Sequence, residues 1–373
     1  MTKPTGIPGN FERNPFVVFY ELTQACDLAC AHCRASAISA RHPHELSPAQ
    51  SRALVDDLLG FDTPPILVLT GGDPMKRDDV IDLTAYAKSR GVHVALTPSA
   101  TPLVTDDAIR QLKEAGLERL AVSVDGADAE THDAFRRVEG SYERTQEILA
   151  AARAHGLPRQ VNTTITARNL HQIDDMAEQM AAHGVLLWSV FFLVPVGRGV
   201  QEARITPGEY EKVFRRLWHH AGRQPYGIKT TEAPHYRRFV LQRLGDPQGD
   251  PTGHRGDRLQ RAPLGVNDGN GVMFISHTGK IYPSGFMPLQ CGRFPAQSVV
   301  DVYRDSPLMR ELRQPDLLHG KCGDCEFRQI CGGSRARSYA VTGDPLGSEP
   351  DCIYVPESHR REQVAAVHEP SVS

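Results

Sequence analysis

The chain has 373 residues, of which 40% are hydrophobic, enough to bury the core of one large domain with a smaller one or of two ordinary domains. Its formal net charge is -3 at pH 7, so no strongly basic surface indicates nucleic-acid binding and no large field indicates attraction to an acidic membrane. Partners are therefore expected among small molecules and proteins.

The beginning of the chain and its most apolar stretch predict a cytoplasmic protein. Residues 1–15 contain no apolar segment of the kind found in signal peptides, and the run LLWSVFFLVPV at 186–196 is too short and too interrupted to span a bilayer. Without export, the eight cysteines are expected to bind metal or take part in catalysis rather than form disulfides.

Strand patterns alternate with helix patterns through the first two thirds of the chain. Apolar, β-branched runs predict six strands, at 16–22, 65–71, 92–98, 119–126, 159–166 and 186–195. Helix patterns with capping residues predict helices at 47–60, 105–116, 141–156, 169–184 and 206–222. Strands joined by helical crossovers predict a parallel sheet buried on both faces, either open or curved into a barrel.

Polar and glycine-rich residues gather at the carboxyl end of every predicted strand, which favours the barrel. They are the cysteine loop, GGDP (71–74), TPS (97–99), SVDG (123–126), Asn162 with Thr164, and VPVGRG (194–199). In a barrel all these ends meet at one mouth, whereas in an open sheet only the switch point would matter.

The last third predicts a second, smaller module. Residues 245–263 are rich in glycine and proline and are interpreted as a linker or active-site loop. The segment 271–285 predicts a hairpin turning at 277–279, a cysteine-rich region follows to 355, and 356–373 is a polar tail.

The loop CDLACAHC (26–33) places Cys26, Cys30 and Cys33 directly after the first predicted strand. A four-iron cluster needs four ligands, so three thiolates leave one iron open to another molecule. Zinc, with His32 as a fourth ligand, and three merely structural thiols are the alternatives, although the immediate neighbours of His32 make a shared metal difficult.

This C-x3-C-x2-C loop after the first strand resembles that of the radical S-adenosylmethionine (SAM) superfamily, in which a partial (β/α)6 TIM-like barrel holds a [4Fe-4S] cluster. The resemblance implies an α/β fold of this type over residues 14–244. It also implies that the open iron binds SAM and that reductive cleavage of SAM yields a 5'-deoxyadenosyl radical. An external electron donor such as flavodoxin or ferredoxin is implied as well.

The same resemblance assigns cofactor contacts to six residues outside the cysteine loop. Gly71, Gly72 and Asp73 match the turn that receives the methionine amine, with Asp73 in place of the usual Glu. Ser123 and Asp125 match contacts to the ribose and carboxylate of the cofactor, and Arg136 matches an arginine that pairs with its carboxylate. The alternatives are a simple turn at Asp125 and a solvated face at Arg136 beside Arg137.

Four further cysteines, Cys322, Cys325, Cys331 and Cys352, can ligate a closed site, either a [4Fe-4S] cluster or a zinc ribbon. Residues 264–355 resemble the auxiliary-cluster extension called SPASM or twitch, closest to the subgroup with enzymes of haem and haem d1 synthesis. Ser284 stands where many such modules have a ligand, so one auxiliary [4Fe-4S] cluster is expected, with Cys291 as a spare thiol.

The resemblance predicts a radical enzyme that abstracts hydrogen from a tetrapyrrole side chain. A maturase that modifies a ribosomally made peptide is the alternative, and a non-catalytic iron-sulfur redox protein is a second one. No residue pattern identifies a substrate acid or base, because Tyr282, His277, Tyr339 and Arg335 fit packing or surface roles equally well.

Overall fold

The structure is a computed structural model that describes residues 11–245 and 265–360. Most of the predicted linker (246–263) and most of the predicted tail (361–373) lie outside the described residues. Within the described ranges, no helix is both long enough and apolar enough to cross a lipid bilayer.

In the described part of the chain, ten strands form one sheet in the order β10-β9-β8-β1-β2-β3-β4-β5-β6-β7. Their bounds are β1 Val17–Glu21, β2 Ile66–Thr70, β3 Val94–Leu96, β4 Arg119–Ser123, β5 Arg159–Ile165, β6 Leu187–Phe192, β7 Gly227–Thr231, β8 Val272–Ile275, β9 Lys280–Tyr282 and β10 Gly292–Arg293. Strands β1 to β7 are parallel, and β8 pairs parallel with β1 on its other side.

Helices connect the parallel strands and continue into the C-terminal region. Their bounds are α1 Pro48–Leu58, α2 Val80–Ser89, α3 Asp106–Glu114, α4 Ala129–Arg136, α5 Ser141–Ala154, α6 Ile173–Ala182, α7 Pro207–Ala221, α8 His235–Leu244, α9 Val299–Asp305, α10 Pro307–Leu312, α11 Gly320–Gly323 and α12 Arg335–Thr342. The α/β architecture with a parallel sheet and a cysteine-rich C-terminal region is therefore confirmed.

The helix ends follow their capping residues. Ser47 and Gln50 form a reciprocal capping box at the start of α1, and Thr206 and Glu209 form another at α7. Thr105 accepts a hydrogen bond from the third residue of α3. These caps depend on neighbours in sequence, which is why the corresponding helices could be predicted.

Several elements of the barrel region, among them β7, α2, α4 and α8, were not predicted from the sequence. Strand β7 adds a seventh parallel strand beside β6, and helices α2 and α4 complete the crossovers after β2 and β4. The predicted hairpin is present as β8 and β9, but β8 extends the barrel sheet from β1. The C-terminal region therefore shares a sheet with the barrel.

Candidate active site

One cavity of about 200 Å³ lies where the carboxyl ends of the strands meet. It is lined by residues that lie within, end or follow six consecutive strands, among them Cys26, Thr70, Thr97, Ser123, Asn162 and Phe192. The strand ends thus converge on one mouth, as a curved sheet requires and as the sequence predicted.

The cysteine loop is fixed to its surroundings through its backbone. The Cys26 amide donates to the carbonyl of Ile38 at 2.7 Å, and the Ala31 amide donates to the carbonyl of Phe135 at 2.9 Å. Cys26, Cys30 and Cys33 all line the cavity. The loop therefore presents three thiols to one space.

Donors surround the three sulfur atoms. The Leu28 amide donates to Cys26 Sγ at 3.3 Å, the Ala37 amide to Cys33 Sγ at 3.5 Å, and Arg136 Nη1 to Cys30 Sγ at 3.5 Å. Burial raises the pKa of the Cys26 thiol, so donors of this kind are needed to stabilise a thiolate there.

The glycine turn after β2 packs against the start of the cysteine loop. A Cβ atom on Gly71 would lie 2.5 Å from the carbonyl oxygen of Thr23, and one on Gly72 would lie 2.4 Å from that of Ala25. Only glycine permits this close approach. Gly71 and Gly72 consequently line the cavity with their backbone.

The Asp73 carboxylate is turned into the protein. It accepts hydrogen bonds from Thr101 Oγ1 at 2.6 Å, the Met75 amide at 3.1 Å and the Ser99 amide at 3.4 Å. Burial raises the pKa of Asp73. Its side chain thus holds the glycine turn and the segment after β3 together.

Ser123, Asp125 and Arg136 lie on one side of the cavity. Ser123 ends β4 and lines the cavity directly. The buried Asp125 accepts from the Thr164 amide at 2.7 Å and forms an ion pair with Arg136. Arg136 lines the cavity and contacts Cys30, whereas Arg137 is exposed, so Arg136 does not belong to a solvated face.

Sequence reasoning considered His32 only as a fourth ligand in the zinc alternative and assigned no role to Gly197 or Arg198. His32 lines the cavity with its Nδ1 buried and without a partner in the described structure. Arg198 donates from Nε to the Cys30 carbonyl at 2.9 Å and from Nη1 to the Ala37 carbonyl at 3.0 Å. The glycines around Arg198 in VGRG were the only sequence signal for this contact.

The four C-terminal thiols line a separate small cavity of about 20 Å³. The Glu349 amide donates to Cys322 Sγ at 3.2 Å, and the Gly333 amide donates to Cys331 Sγ at 3.4 Å. His235 lines the same cavity with both ring nitrogens buried and unpartnered among the described residues. Cys352 lies here with the others.

Cys291 lies elsewhere, in the segment between β9 and β10. It packs against the core of the barrel, and its Sγ donates to the Leu289 carbonyl at 3.6 Å. Burial raises the pKa of its thiol. These contacts are those of a small hydrophobic residue.

The donor set of each cysteine group suits a thiolate-ligated metal centre, with three thiols at the first cavity and four at the second. Four thiolates around one zinc must converge to about 2.3 Å from one point. Among residues 11–245 and 265–360, no three His, Cys, Asp or Glu side chains converge closely enough to hold one metal ion. Amide groups donate to sulfur at both sites, and hydrogen bonds to the sulfur atoms are among the features that tune thiolate-ligated clusters.

A buried arginine attaches the C-terminal region to the barrel. Arg337 in α12 donates from Nε to the Leu193 carbonyl at 3.2 Å and from Nη2 to the Glu232 carbonyl at 2.6 Å. It also pairs with Glu349 at 3.2 Å. The cysteine-rich region is therefore anchored at the carboxyl ends of β6 and β7.

Comparison with known proteins gives a consistent family. The model of the Radical SAM superfamily matches residues 20–180. An AdoMet-dependent heme synthase of Methanosarcina barkeri is 36% identical over 342 residues, which cover 92% of this chain and 97% of that protein. A pre-heme d1 synthase of Dinoroseobacter shibae is 30% identical, with coverages of 90% and 85%.

The similar proteins also include a maturase and a solved structure with bound S-adenosylmethionine. A mycofactocin maturase of Mycobacterium tuberculosis is 30% identical, covering 92% of this chain and 85% of that protein. The crystal structure of Streptococcus suis SuiB bound to S-adenosylmethionine superposes with a TM-score of 0.71 at 15% identity, over 92% of this chain and 78% of SuiB. At this identity the match concerns the fold.

Proposed function

This chain belongs to the radical SAM superfamily, as an enzyme with a [4Fe-4S] cluster and SAM, and we propose that it abstracts hydrogen from a tetrapyrrole side chain in haem-type biosynthesis. The supporting observation is that Cys26, Cys30 and Cys33 and the Gly71–Gly72 turn line one cavity. The chain that carries this site matches a heme synthase over nearly the whole length of both proteins.

We assign Cys26, Cys30 and Cys33 as the three protein ligands of the cluster. Three thiols leave one iron for SAM, which when bound and reduced supplies a 5'-deoxyadenosyl radical. The donors from Leu28 and Ala37 stabilise the thiolates.

The cofactor contacts follow from the same cavity. We assign the backbone of Gly71 and Gly72, the Ser123 hydroxyl and the Arg136 guanidinium as direct contacts to SAM, because all of them line it. Asp73 acts by holding the glycine turn through Thr101, and Asp125 acts by orienting Arg136.

We assign Cys322, Cys325, Cys331 and Cys352 to one auxiliary [4Fe-4S] cluster in a module spanning 264–355, beside a barrel spanning 14–244. The thiols share one small cavity with amide donors to sulfur. An external donor such as flavodoxin or ferredoxin would supply the electron, and thiolate-bound clusters of this kind suit the reducing cytoplasm.

A peptide maturase is the second candidate function. It is favoured by the mycofactocin maturase, which matches at 30% identity over 92% of this chain. The two candidates differ in the molecule that loses a hydrogen atom, so substrate conversion separates them.

The experiment uses anaerobically reconstituted protein with dithionite and SAM. We expect release of 5'-deoxyadenosine. With an iron porphyrin that carries propionates as the substrate, we also expect porphyrin of altered mass, in an amount that matches the 5'-deoxyadenosine released. Replacing Cys26, Cys30 or Cys33 with Ala should abolish cleavage, since each removes a ligand. Cys291→Ala is the matched control and should retain it.

Continued cleavage in all three variants would overturn the ligand assignment. Cleavage of SAM by the parent without any change in the porphyrin, together with modification of a precursor peptide, would instead select the peptide maturase.

A further inference from the structure

A second and larger cavity of about 550 Å³ opens beside the first. It lies between the edges of β1, β8 and β9 and the segment that follows the cysteine loop. Its volume is in the range of small-molecule sites, which is about 300–1,000 Å³. None of the cofactor contacts assigned above lines it.

Arg34 lines both cavities. Its guanidinium lies 4.4 Å from the centre of the Phe274 ring, and a Cβ atom on Gly285 would lie 3.0 Å from its Nε. Within the described structure its hydrogen bond goes to Glu21 Oε1 at 3.5 Å. Packing against Phe274 and Gly285 thus holds the guanidinium between the cavities, while most of its N–H groups remain available to a ligand.

The larger cavity carries an excess of positive charge. The basic side chains that line it are Arg34, Lys280 and Arg293. The imidazole rings of His42 and His44 line it as well. Among its described lining residues Glu21 is the single acid, and its carboxylate is bound by His277 Nδ1 at 2.7 Å and by Arg34. No ion pair of the described structure neutralises Lys280 or Arg293, so the cavity suits an anion.

His42 adds a neutral donor to this lining. Its Nδ1 accepts a hydrogen bond from the His44 amide at 3.1 Å. The proton of the neutral ring is therefore on Nε2, which is the position left for a ligand.

An aromatic and apolar surface accompanies the charges. Phe274 and Tyr282 line the cavity with their ring centres 6.2 Å apart, and the buried Met287 is a further lining residue. A flat aromatic molecule gains contact area from such side chains, and cations around them select carboxylates on its periphery.

We propose that this cavity binds a flat, aromatic polycarboxylate, the tetrapyrrole substrate. Lys280 and Arg293 hold carboxylates at the outer edge, and Arg34 holds one at the opening into the cysteine-lined cavity, which directs that side chain toward the reacting cofactor. This inference rests on the proposed function and specifies where the substrate of that site binds.

The test measures binding of coproporphyrin III, a porphyrin with four propionates, to the anaerobic holoenzyme by absorbance and fluorescence titration. The variant is Lys280→Gln with Arg293→Gln, which removes two charges from partly or fully exposed side chains. The matched control is Lys88→Gln with Arg90→Gln, which removes the same charge from the end of α2. The tetramethyl ester of the porphyrin serves as the uncharged ligand.

We expect the Lys280/Arg293 variant to bind the free acid about tenfold more weakly and the control to bind it as the parent does. The tetramethyl ester should bind the parent weakly, and its affinity should be the same for the parent, the Lys280/Arg293 variant and the control variant. Equal binding of the free acid by parent and variant, or equal binding of acid and ester by the parent, would overturn the cavity assignment and leave the proposed function standing. Failure of the parent to bind either porphyrin, with SAM cleavage intact, would overturn both.

Discussion

Arg136 keeps its charge in a buried place because of the groups around it. Burial opposes its cationic form, but Asp125 and the thiol of Cys30 outweigh it and raise the pKa of Arg136 above its usual value. The guanidinium thus bridges a carboxylate after β4 and a cysteine of the loop after β1. A single residue therefore links the segments that follow two strand ends.

Replacing Arg136 with Gln should be costly. It leaves the Asp125 carboxylate buried without its partner, and such broken buried pairs lose about 3–5 kcal/mol. We expect the thermal midpoint of the holoprotein to fall by several degrees and the affinity for SAM to fall as well, measured by calorimetry and equilibrium binding.

Arg137→Gln is the matched control for Arg136→Gln. Arg137 is the next residue, caps the C-terminus of α4 with a φ of 57° and is exposed, so its replacement should change stability by less than about 0.5 kcal/mol. Equal effects of the two substitutions would show that the Asp125 pair does not stabilise the site.

At the scale of elements, the cysteine loop is shaped by a short helix from across the barrel. The 3-10 helix Gly197–Gln201 follows β6, and its Arg198 amide donates to the Cys33 carbonyl at 3.0 Å. Gly197 has a φ of 55°, and a Cβ atom there would lie 2.3 Å from the Arg34 carbonyl oxygen. The same Cβ atom would lie 2.6 Å from the Cys33 carbonyl oxygen. Both oxygens belong to the backbone, so a side chain at residue 197 could be accommodated only by moving the cysteine loop.

We expect Gly197→Ala to displace the cysteine loop. The added methyl group must push the backbone at Cys33 and Arg34 away. In addition, the alanine would have to adopt the left-handed backbone conformation of Gly197, which is strained for a residue with a side chain. The protein should lose the iron of the N-terminal cluster, about four of about eight atoms per chain, and with it SAM cleavage. Iron analysis and 5'-deoxyadenosine release measure both.

Gly208→Ala provides the control for this substitution. Gly208 is the second residue of α7, and a Cβ atom there would meet nothing within 4 Å. Alanine is the better helix former by about 1 kcal/mol, so iron and cleavage should be unchanged. An unaltered iron content in Gly197→Ala would refute the role of this contact.

At the scale of the molecule, two cysteine groups from opposite ends of the chain are attached to one sheet. The first follows β1, and the second is anchored by Arg337 at the ends of β6 and β7. Glu349 and Asp351, which pair with Arg337, immediately precede Cys352. The anchor therefore also places the last thiol of the second group.

Iron and sulfide counts on single variants test this arrangement. We expect about eight irons in the parent, about four in Cys352→Ala, and about eight in Cys291→Ala, since a four-iron cluster has no place for a fifth thiolate. Loss of iron on replacing Cys291 but not Cys352 would reverse the assignment. Four irons with one zinc in the parent would make the C-terminal site a zinc ribbon.

Local patterns were sufficient for much of the barrel and for the centre of its site. Six of the parallel strands, the caps at Ser47 and Thr105, and the glycine turn after β2 depend on residues close together in sequence. The spacing of Cys26, Cys30 and Cys33 was likewise enough to predict an open cluster site. Strand β7 was not predicted because its sequence GIKTT, with Lys229 in its centre, lacks the alternation of apolar and polar residues that indicates a strand.

Only the tertiary structure decided which side chains face the cavity. Asp73 and Asp125 look like cofactor contacts in sequence, yet their carboxylates are bound by Thr101 and Arg136. Arg136 and Arg137 are indistinguishable neighbours until α4 turns one inward. The sequence by itself thus determined the chemistry of the site, because thiol spacing and turn glycines act locally. Packing between strand ends tens of residues apart determined which of its polar residues line the cavity and which hold those residues in place.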